Sequence, residues 1–356
     1  MPNSNVITAH ESPGGPPPGL SLLGKLRWGV KNPPADPTVS FAGKTVLVTG
    51  ANTGLGFEAA VKYAALGASK LILGIRSKDK GEVAKKRIVE RSGRSDDNFI
   101  TILLVDLADL ASVQAFVKSL NKTTTHLDVA LLNAGLANPS YRQSSAGWEL
   151  AVQVNVLSTA LMAVLLLPLL RATVAASRAT MPHLTIVNSF GHMLAERQWI
   201  DVSGSPLKFA NEKEGWDAKK SYIIVKLLNM AMMKAIARAA APAADTNGST
   251  PQVIVNAVCP SQCKTDLGRQ YGVISKIFMA PYQALFARTA EEGSRSLVSA
   301  TALGPESHGR FWHHDILHPF GELAEDEHLM QQAWDEIFEV IVKAEPDLPE
   351  ILAGQR

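Results

Sequence analysis

Residues 48–60, VTGANTGLGFEAA, place Gly50, Gly54 and Gly56 directly after the short apolar run TVLV. Two readings are open for these glycines. Either they make a tight turn from a strand into a helix, or they hold the phosphates of a nucleotide. Glycine permits both, because its backbone turns sharply and lets a pyrophosphate approach the unpaired amides at a helix start. The spacing is GxxxGxG and not the GxGxxG of the dinucleotide fingerprint, so the triplet alone does not decide. The surrounding order of segments narrows the choice.

From about Lys44 strand-like and helix-like segments alternate. KTVLVTG (44–50) reads as a buried strand, and GFEAAVKYAALG (56–67) as a helix that Gly67 ends. KLILGI (70–75), FITILLVD (99–106), LDVALLNAG (127–135), HLTIVNS (183–189) and QVIVNAVCP (252–260) read as further strands. Between them lie the charged helix SKDKGEVAKKRIVERSG (77–93), LASVQAFVKSL (110–120) and a long apolar helix over 147–171. Strands apolar throughout and alternating with helices predict a parallel sheet covered on both faces. The expected fold class is α/β, a doubly wound parallel sheet of Rossmann type in a single domain. Its ligand is expected at the carboxyl ends of the strands.

Composition bounds the function. The chain has 356 residues, 46% hydrophobic, with 35 Lys+Arg against 33 Asp+Glu, and the net charge of +2 gives no reason to expect nucleic acid or an anionic membrane. Cys259 and Cys263 have no second Cys/His set at matching spacing and read as reduced thiols, and His313, His314 and His318 read as an ordinary polar segment. No metal is expected. VLSTALMAVLLLPLL (156–170) is shorter than the ~20 residues of a spanning helix and contains Pro168, so it reads as a helix buried on the sheet or at a subunit contact. Residues 1–40, with SPGGPPPG and KNPPADP, read as a flexible Pro/Gly-rich segment, and 321–356 as a C-terminal helical tail. Within the former, LSLLGKLRWGV is apolar enough to pack on the body of the protein and lacks a signal peptide's cleavage pattern, so a cytoplasmic location is expected.

GIRSK (74–78) has Ile75 where an acid would bond a ribose 2′-hydroxyl, followed by Arg76. A guanidinium is a forked donor for phosphate oxygens, which favours NADP(H) over NAD(H); the other reading of Arg76 is a solvated surface cation. KKSYIIVKLL (219–228) puts Tyr222 and Lys226 on one helix face. An adjacent ammonium together with the positive charge of an oxidised nicotinamide would bring a tyrosine toward neutral pKa, about 4 kcal/mol for three units. Ser189 ends the fifth strand and suits a hydrogen bond to a substrate oxygen. Asn155, early in the long helix, suits holding a water that relays protons to the lysine.

These segments together resemble the short-chain dehydrogenase/reductase family over about residues 41–320. TGANTGLG (49–56) resembles its TGxxxGxG, which implies cofactor contacts from Gly50, Asn52, Thr53, Leu55 and Gly56. LVDL resembles its adenine-contacting segment through Asp106, and LLNAG (131–135) resembles NNAG, with Leu132 replacing one asparagine and Asn133 kept. Asn155, Ser189, Tyr222 and Lys226 fall where the family's catalytic four belong. CPSQCKTDL resembles PG-x-x-x-T, with Thr265 placed to hold the nicotinamide carboxamide. Ser261 in place of glycine, Val225 in place of Ser or Thr, and a long polar stretch over 195–220 depart from the pattern. That stretch carries Trp199 and Trp216, suits a substrate wall, and is similar to a somewhat shorter insertion in retinol-dehydrogenase-like members.

GASKLILGIRSKDKGEVAKKRI, ARTAEEGSRSLVSATALGPESHGRF and WDEIFEVI resemble a fungal branch of secondary metabolism. The resemblance implies hydride transfer between NADP(H) and a ketone or secondary alcohol on an apolar substrate. Tyr222 is then the general acid/base, Lys226 lowers its pKa and binds the nicotinamide ribose, Ser189 bonds the substrate oxygen and Asn155 anchors the relay water. It also implies a homodimer or homotetramer. Residues 266–288 read as a lid over the substrate or as ordinary packed helices. Two alternatives stand beside the redox enzyme: a non-catalytic NADP(H)-binding regulatory or scaffold protein, and a dehydratase or epimerase that recycles the nicotinamide in place.

Overall fold

The computed structural model describes residues 7, 15–175, 181–200, 204–241, 251–264 and 281–355. Eight strands form one sheet: β1 (Thr45–Thr49), β2 (Lys70–Ile75), β3 (Ile100–Leu104), β4 (Val129–Leu132), β5 (His183–Val187), β6 (Ile254–Cys259), β7 (Phe311–His313) and β8 (Ile316–His318). Their order is β3-β2-β1-β4-β5-β6-β7-β8, parallel through β7, with β8 antiparallel at the edge. This is the doubly wound parallel sheet the sequence predicts. The order reverses between β1 and β4, and that reversal opens a crevice at the strands' carboxyl ends.

Alternation along the strands explains why both faces are covered. Leu47 and Ile72 point into one core with Phe116, Leu161 and Met230, whereas Val46, Val48, Leu71 and Leu73 point into the other with Tyr63, Ile88 and Leu297. The second core is roofed by α2 (Gly54–Ala65), α3 (Lys78–Ser92) and, further along the chain, an eleven-residue helix at Ala290–Ala300. The first is roofed by α4 (Leu110–Thr123), α5 (Ser158–Ala175) and α6 (Ala218–Ala240). The Ala290–Ala300 helix is α7, and α8 (Glu327–Ala344) completes the first layer.

Local chemistry sets the helix ends. Ser77 caps α3 and Gly93 ends it at φ 71°, Asp109 caps α4, Asp217 caps α6 through Lys220 N at 2.8 Å, and Thr289 with Glu292 makes a capping box on α7.

Three findings differ from the sequence reading. The long apolar helix is longer than its apolar run: among the described residues Leu150–Val174 is the single helix long and apolar enough to cross a membrane, but most of it is buried inside the chain. It runs through Pro168 beneath α4, α8 and the short helix Leu348–Leu352. Within the stretch expected to be flexible, Leu22–Lys31 is a helix, α1, capped by Ser21. The histidine segment, expected as an ordinary polar stretch, is the β7–β8 hairpin. Its two-residue turn places His314 at φ 55° and Asp315 at φ 58°, the left-handed pair that matches strand twist.

Candidate active site

The crevice is a cavity of about 1310 Å³ that gathers residues from many separate segments of the chain. At its β1 end the chain turns through Gly50 at φ 69° into α2, which starts at Gly54, φ 57°. Gly56 is required by crowding, since a Cβ there would lie 2.6 Å from the Gly50 carbonyl oxygen and against Asn133 Nδ2. Asn133 fastens the turn: its Nδ2 donates to the Thr49 carbonyl at 2.9 Å, and its backbone N and that of Ala134 donate to Thr49 Oγ1 at 3.0 Å. Asn133 therefore shapes the glycine turn as well as lining the cavity. Asn52, Thr53 and Leu55 line it too, and the Thr53 side chain does not cap the first α2 amides. Exposed Arg76 lines it from the end of β2, and Asp106 from the end of β3, where its Oδ1 accepts from Ala108 N at 3.0 Å.

Tyr222 and Lys226 reach the same cavity from α6, four residues apart on one face. Ser189, just beyond β5, accepts from Gly191 N at 3.0 Å and is hydrogen-bonded to the Tyr222 hydroxyl. Lys226 Nζ donates to the Val187 carbonyl at 3.2 Å. Asn155 lies in a π-helical turn, Gln153–Leu157, between the opening turn Leu150–Val152 and α5. The structure thus brings Asn155, Ser189, Tyr222 and Lys226 to one cavity.

Burial and the neighbouring backbone set the state of three of these side chains in the chain itself. Lys226 does not bring the tyrosine down in the chain itself: burial pushes the Tyr222 hydroxyl up to about 12, against the bond from Ser189, and burial brings Lys226 down to about 8. The Asn155 carboxamide is fixed by the Leu136 backbone through both of its polar atoms. Its Oδ1 accepts from Leu136 N at 2.9 Å and its Nδ2 donates to Leu136 O at 2.8 Å.

Thr265 and most of the 266–288 segment lie outside the described residues; Tyr282 and Gln283, beyond that gap, line the cavity. Ser261, where the family pattern has glycine, sits at φ 67°, a left-handed conformation that explains the usual glycine. Asp217 and Lys219 of the long polar stretch, and Leu194 just before it, line the cavity, but its tryptophans do not: Trp216 stands edge-on to Tyr141, and Lys220 covers Trp199. Cys259 and Cys263 are free thiols on the wall, and among the described residues no cluster of three or more His, Cys, Asp or Glu is arranged to hold a metal.

Sequence reasoning missed two walls. One is the hairpin with His313, His314 and His318; the other is α1 with Leu22, Lys25 and Leu26. Signals for both exist. FWHHDILH alternates about a two-residue turn, and Ser21 precedes apolar residues at helical spacing.

A family model described as short chain dehydrogenase matches residues 44–179. Short-chain dehydrogenase/reductase ffsI of Aspergillus flavipes is 43% identical over 340 residues, covering 94% of this chain and 97% of that protein. The chain belongs to the short-chain dehydrogenase family. Phaeosphaeria nodorum contributes a second relative of this dehydrogenase, phmF, 41% identical over 95% of this chain and 98% of its own length. Among solved structures, a Mycobacterium paratuberculosis protein matches with TM-score 0.62 at 21% identity, covering 85% of this chain and 94% of that one. L-sorbose reductase from Gluconobacter frateurii, complexed with NADPH and L-sorbose, matches with TM-score 0.56 at 18% identity, covering 78% and 97%. These two likenesses are of the fold. The dehydrogenase assignment makes the chain an oxidoreductase of a family that binds a nicotinamide nucleotide and acts on small molecules.

Proposed function

We propose that this dehydrogenase uses NADP(H) to interconvert a ketone and a secondary alcohol on an apolar small molecule, in the setting of fungal secondary metabolism. The observation that carries the reading is the Ser189–Tyr222–Lys226 arrangement in a cavity that also takes in the α2 amino terminus and Arg76.

The residues fit the nucleotide. Gly50 and Gly56 leave no room for a side chain between the turn and the strand ends, so the backbone itself meets a pyrophosphate. Arg76, with no acid at position 75, suits the 2′-phosphate. Asp106 lies where adenine would be held. When bound, the nicotinamide supplies or accepts the hydride.

The chain's own groups then handle the proton. Tyr222, held near 12, keeps its proton at neutral pH and is poised as the acid that completes reduction of a carbonyl oxygen. Ser189 accepts from Gly191 N, so its own hydrogen is free to turn toward that oxygen or to Tyr222. Lys226, near 8, both carries and releases a proton at physiological pH and can restore the tyrosine's. Oxidation of an alcohol reverses these transfers. The cavity wall is apolar around them through Leu136, Val154, Phe190 and Ile223, which suits an apolar substrate body.

The test is fluorescence titration with NADPH and NADH, followed by an NADPH-consumption screen over aromatic and alicyclic ketones. Tight NADPH binding with turnover of at least one ketone is expected. Binding without turnover of any carbonyl would favour the scaffold alternative, and turnover without net NADPH loss the dehydratase or epimerase.

A further inference from the structure

Helix α1 precedes the first strand of the sheet, yet Leu22, Lys25 and Leu26 line the cavity that holds Tyr222 and Arg76. Their spacing of three and four puts them on one helix face, and Gly29 continues that face into the body of the protein. The helix is fastened there by a buried cation. Arg288 Nε donates to the Gly29 carbonyl at 2.7 Å and its Nη2 to the Asn32 carbonyl at 2.9 Å, at the end of α1 where carbonyls lack helical partners. The same Nη2 lies 3.2 Å from His314 Nδ1, and Trp28 meets that imidazole edge-on at 5.3 Å. Beyond the helix, Ala35 N donates to Asp315 Oδ2 at 3.0 Å and Arg295 Nη1 to the Pro34 carbonyl at 3.2 Å. A Cβ at Gly29 would lie 3.1 Å from His314 Cε1, so the close seat of α1 depends on that glycine.

Lys25 is half-buried on this fastened face; its backbone N donates to Ser21 O at 2.8 Å, and its ammonium has no ion pair or hydrogen bond among the described residues. An ammonium without a partner among the described residues, held at a cavity wall by an otherwise anchored helix, is placed to meet an anion. Cations also outnumber the two lining carboxylates, Asp106 and Asp217, so the cavity as a whole favours a negatively charged ligand.

We propose that α1 is a ligand-contacting wall of the catalytic cavity, in which Lys25 takes an anionic oxygen group while Leu22 and Leu26 cover the apolar surface beside it. The oxygen belongs to a nucleotide phosphate or to a substrate carboxylate, which present the same chemistry to an ammonium. The inference rests on the redox reading above and extends it to the site's selectivity.

The test uses the full chain with Lys25→Gln, and Gly29→Val, which pushes α1 off His314 without altering a cavity-lining residue. Nucleotide affinities are read by fluorescence titration with NADPH and NADH, and KM for 3-benzoylpropionate and its methyl ester. A phosphate contact weakens NADPH and NADH about tenfold each in K25Q and leaves the ratio of the two KM values unchanged. A carboxylate contact leaves nucleotide affinity alone and raises KM about tenfold for the acid but not the ester. Either result supports the site, and G29V should show the same loss. Unchanged affinities and KM values in K25Q overturn it, and a K25Q effect that G29V does not share overturns the role of α1 as a wall. A wild-type chain that binds neither nucleotide and reduces neither ketone refutes the redox reading instead. Calorimetric titration with inorganic pyrophosphate then decides for Lys25: weaker binding in K25Q sustains the anion contact, and equal or absent binding in both proteins overturns it.

Discussion

Lys226 Nζ lies 5.8 Å from the centre of the Tyr222 ring while it donates to the Val187 carbonyl, so the ammonium is anchored by β5 beside the tyrosine it serves. Burial moves the two groups in opposite directions, Tyr222 up to about 12 and Lys226 down to about 8. Both shifts favour the neutral form, and each gives a measurable consequence.

For ketone reduction, kcat should fall as pH rises through about 8, because Lys226 then loses the proton that resupplies Tyr222. Alcohol oxidation should rise over the same interval. Tyr222→Phe should bind NADPH as the wild type does and lose roughly 10²–10⁴ in kcat, the usual worth of a positioned acid. A phenylalanine variant reducing the ketone at the wild-type rate would remove Tyr222 from the chemistry.

Lys226→Met should be inactive and yet more stable at neutral pH. The folded pKa, about 8, lies below the ordinary 10.5, so the unfolded chain binds more protons between those values and stability rises across that window. Below pH 8 the buried ammonium costs its full amount, on the order of 3 kcal/mol, which methionine avoids. Urea unfolding at pH 7 should show a gain of about 1–3 kcal/mol that shrinks toward pH 10.5. A variant less stable than wild type at pH 7 contradicts this account.

Arg76→Glu should weaken NADPH by about 100-fold or more and NADH by only a few-fold, because a carboxylate at the end of β2 repels a 2′-phosphate and accepts from a ribose hydroxyl. Exposed and side-on to the cavity, Arg76 has no evident part in the core, so melting temperature should hardly move. Equal losses for both nucleotides would take away the basis of the NADP(H) preference.

Glycine exchange in opposite directions should give opposite outcomes at two turns. Ser261→Gly relieves a left-handed backbone at φ 67° and should stabilise the chain by about 0.5–1 kcal/mol in urea unfolding. Gly56→Ala instead drives a methyl against the Gly50 carbonyl and Asn133 Nδ2, and should abolish nucleotide binding while lowering the melting temperature. Tolerance of alanine at position 56 would mean that the turn yields more easily than its contacts imply.

Another pair of groups tests the cavity floor. Asn188 and Asn229 both line the cavity, are buried, and leave Oδ1 without a partner among the described residues. Buried acceptors of this kind are ordinarily met by water. A high-resolution crystal structure should show an ordered water bonded to each Oδ1; dry contacts at both would contradict the expectation.

The sequence by itself determined the first six strands, the glycine turn and the Tyr222–Lys226 face of α6, because each is written locally. Apolar runs define strands buried on both faces, caps such as Ser77 and Asp217 bound helices, and a four-residue interval sets Tyr222 and Lys226 side by side whatever surrounds them. Tertiary structure alone decided the electrostatics and the walls. Burial raised Tyr222 and lowered Lys226, which no spacing encodes, and the Leu136 backbone claimed the Asn155 carboxamide from a part of the chain 19 residues away. The short β7 and β8 carry only three residues each, too few for a period to stand out, and exist because β6 offers an edge. The N-terminal helix joined the cavity for a similar reason. Its carbonyls found Arg288, 259 and 256 residues away, and its one buried glycine let it sit against His314.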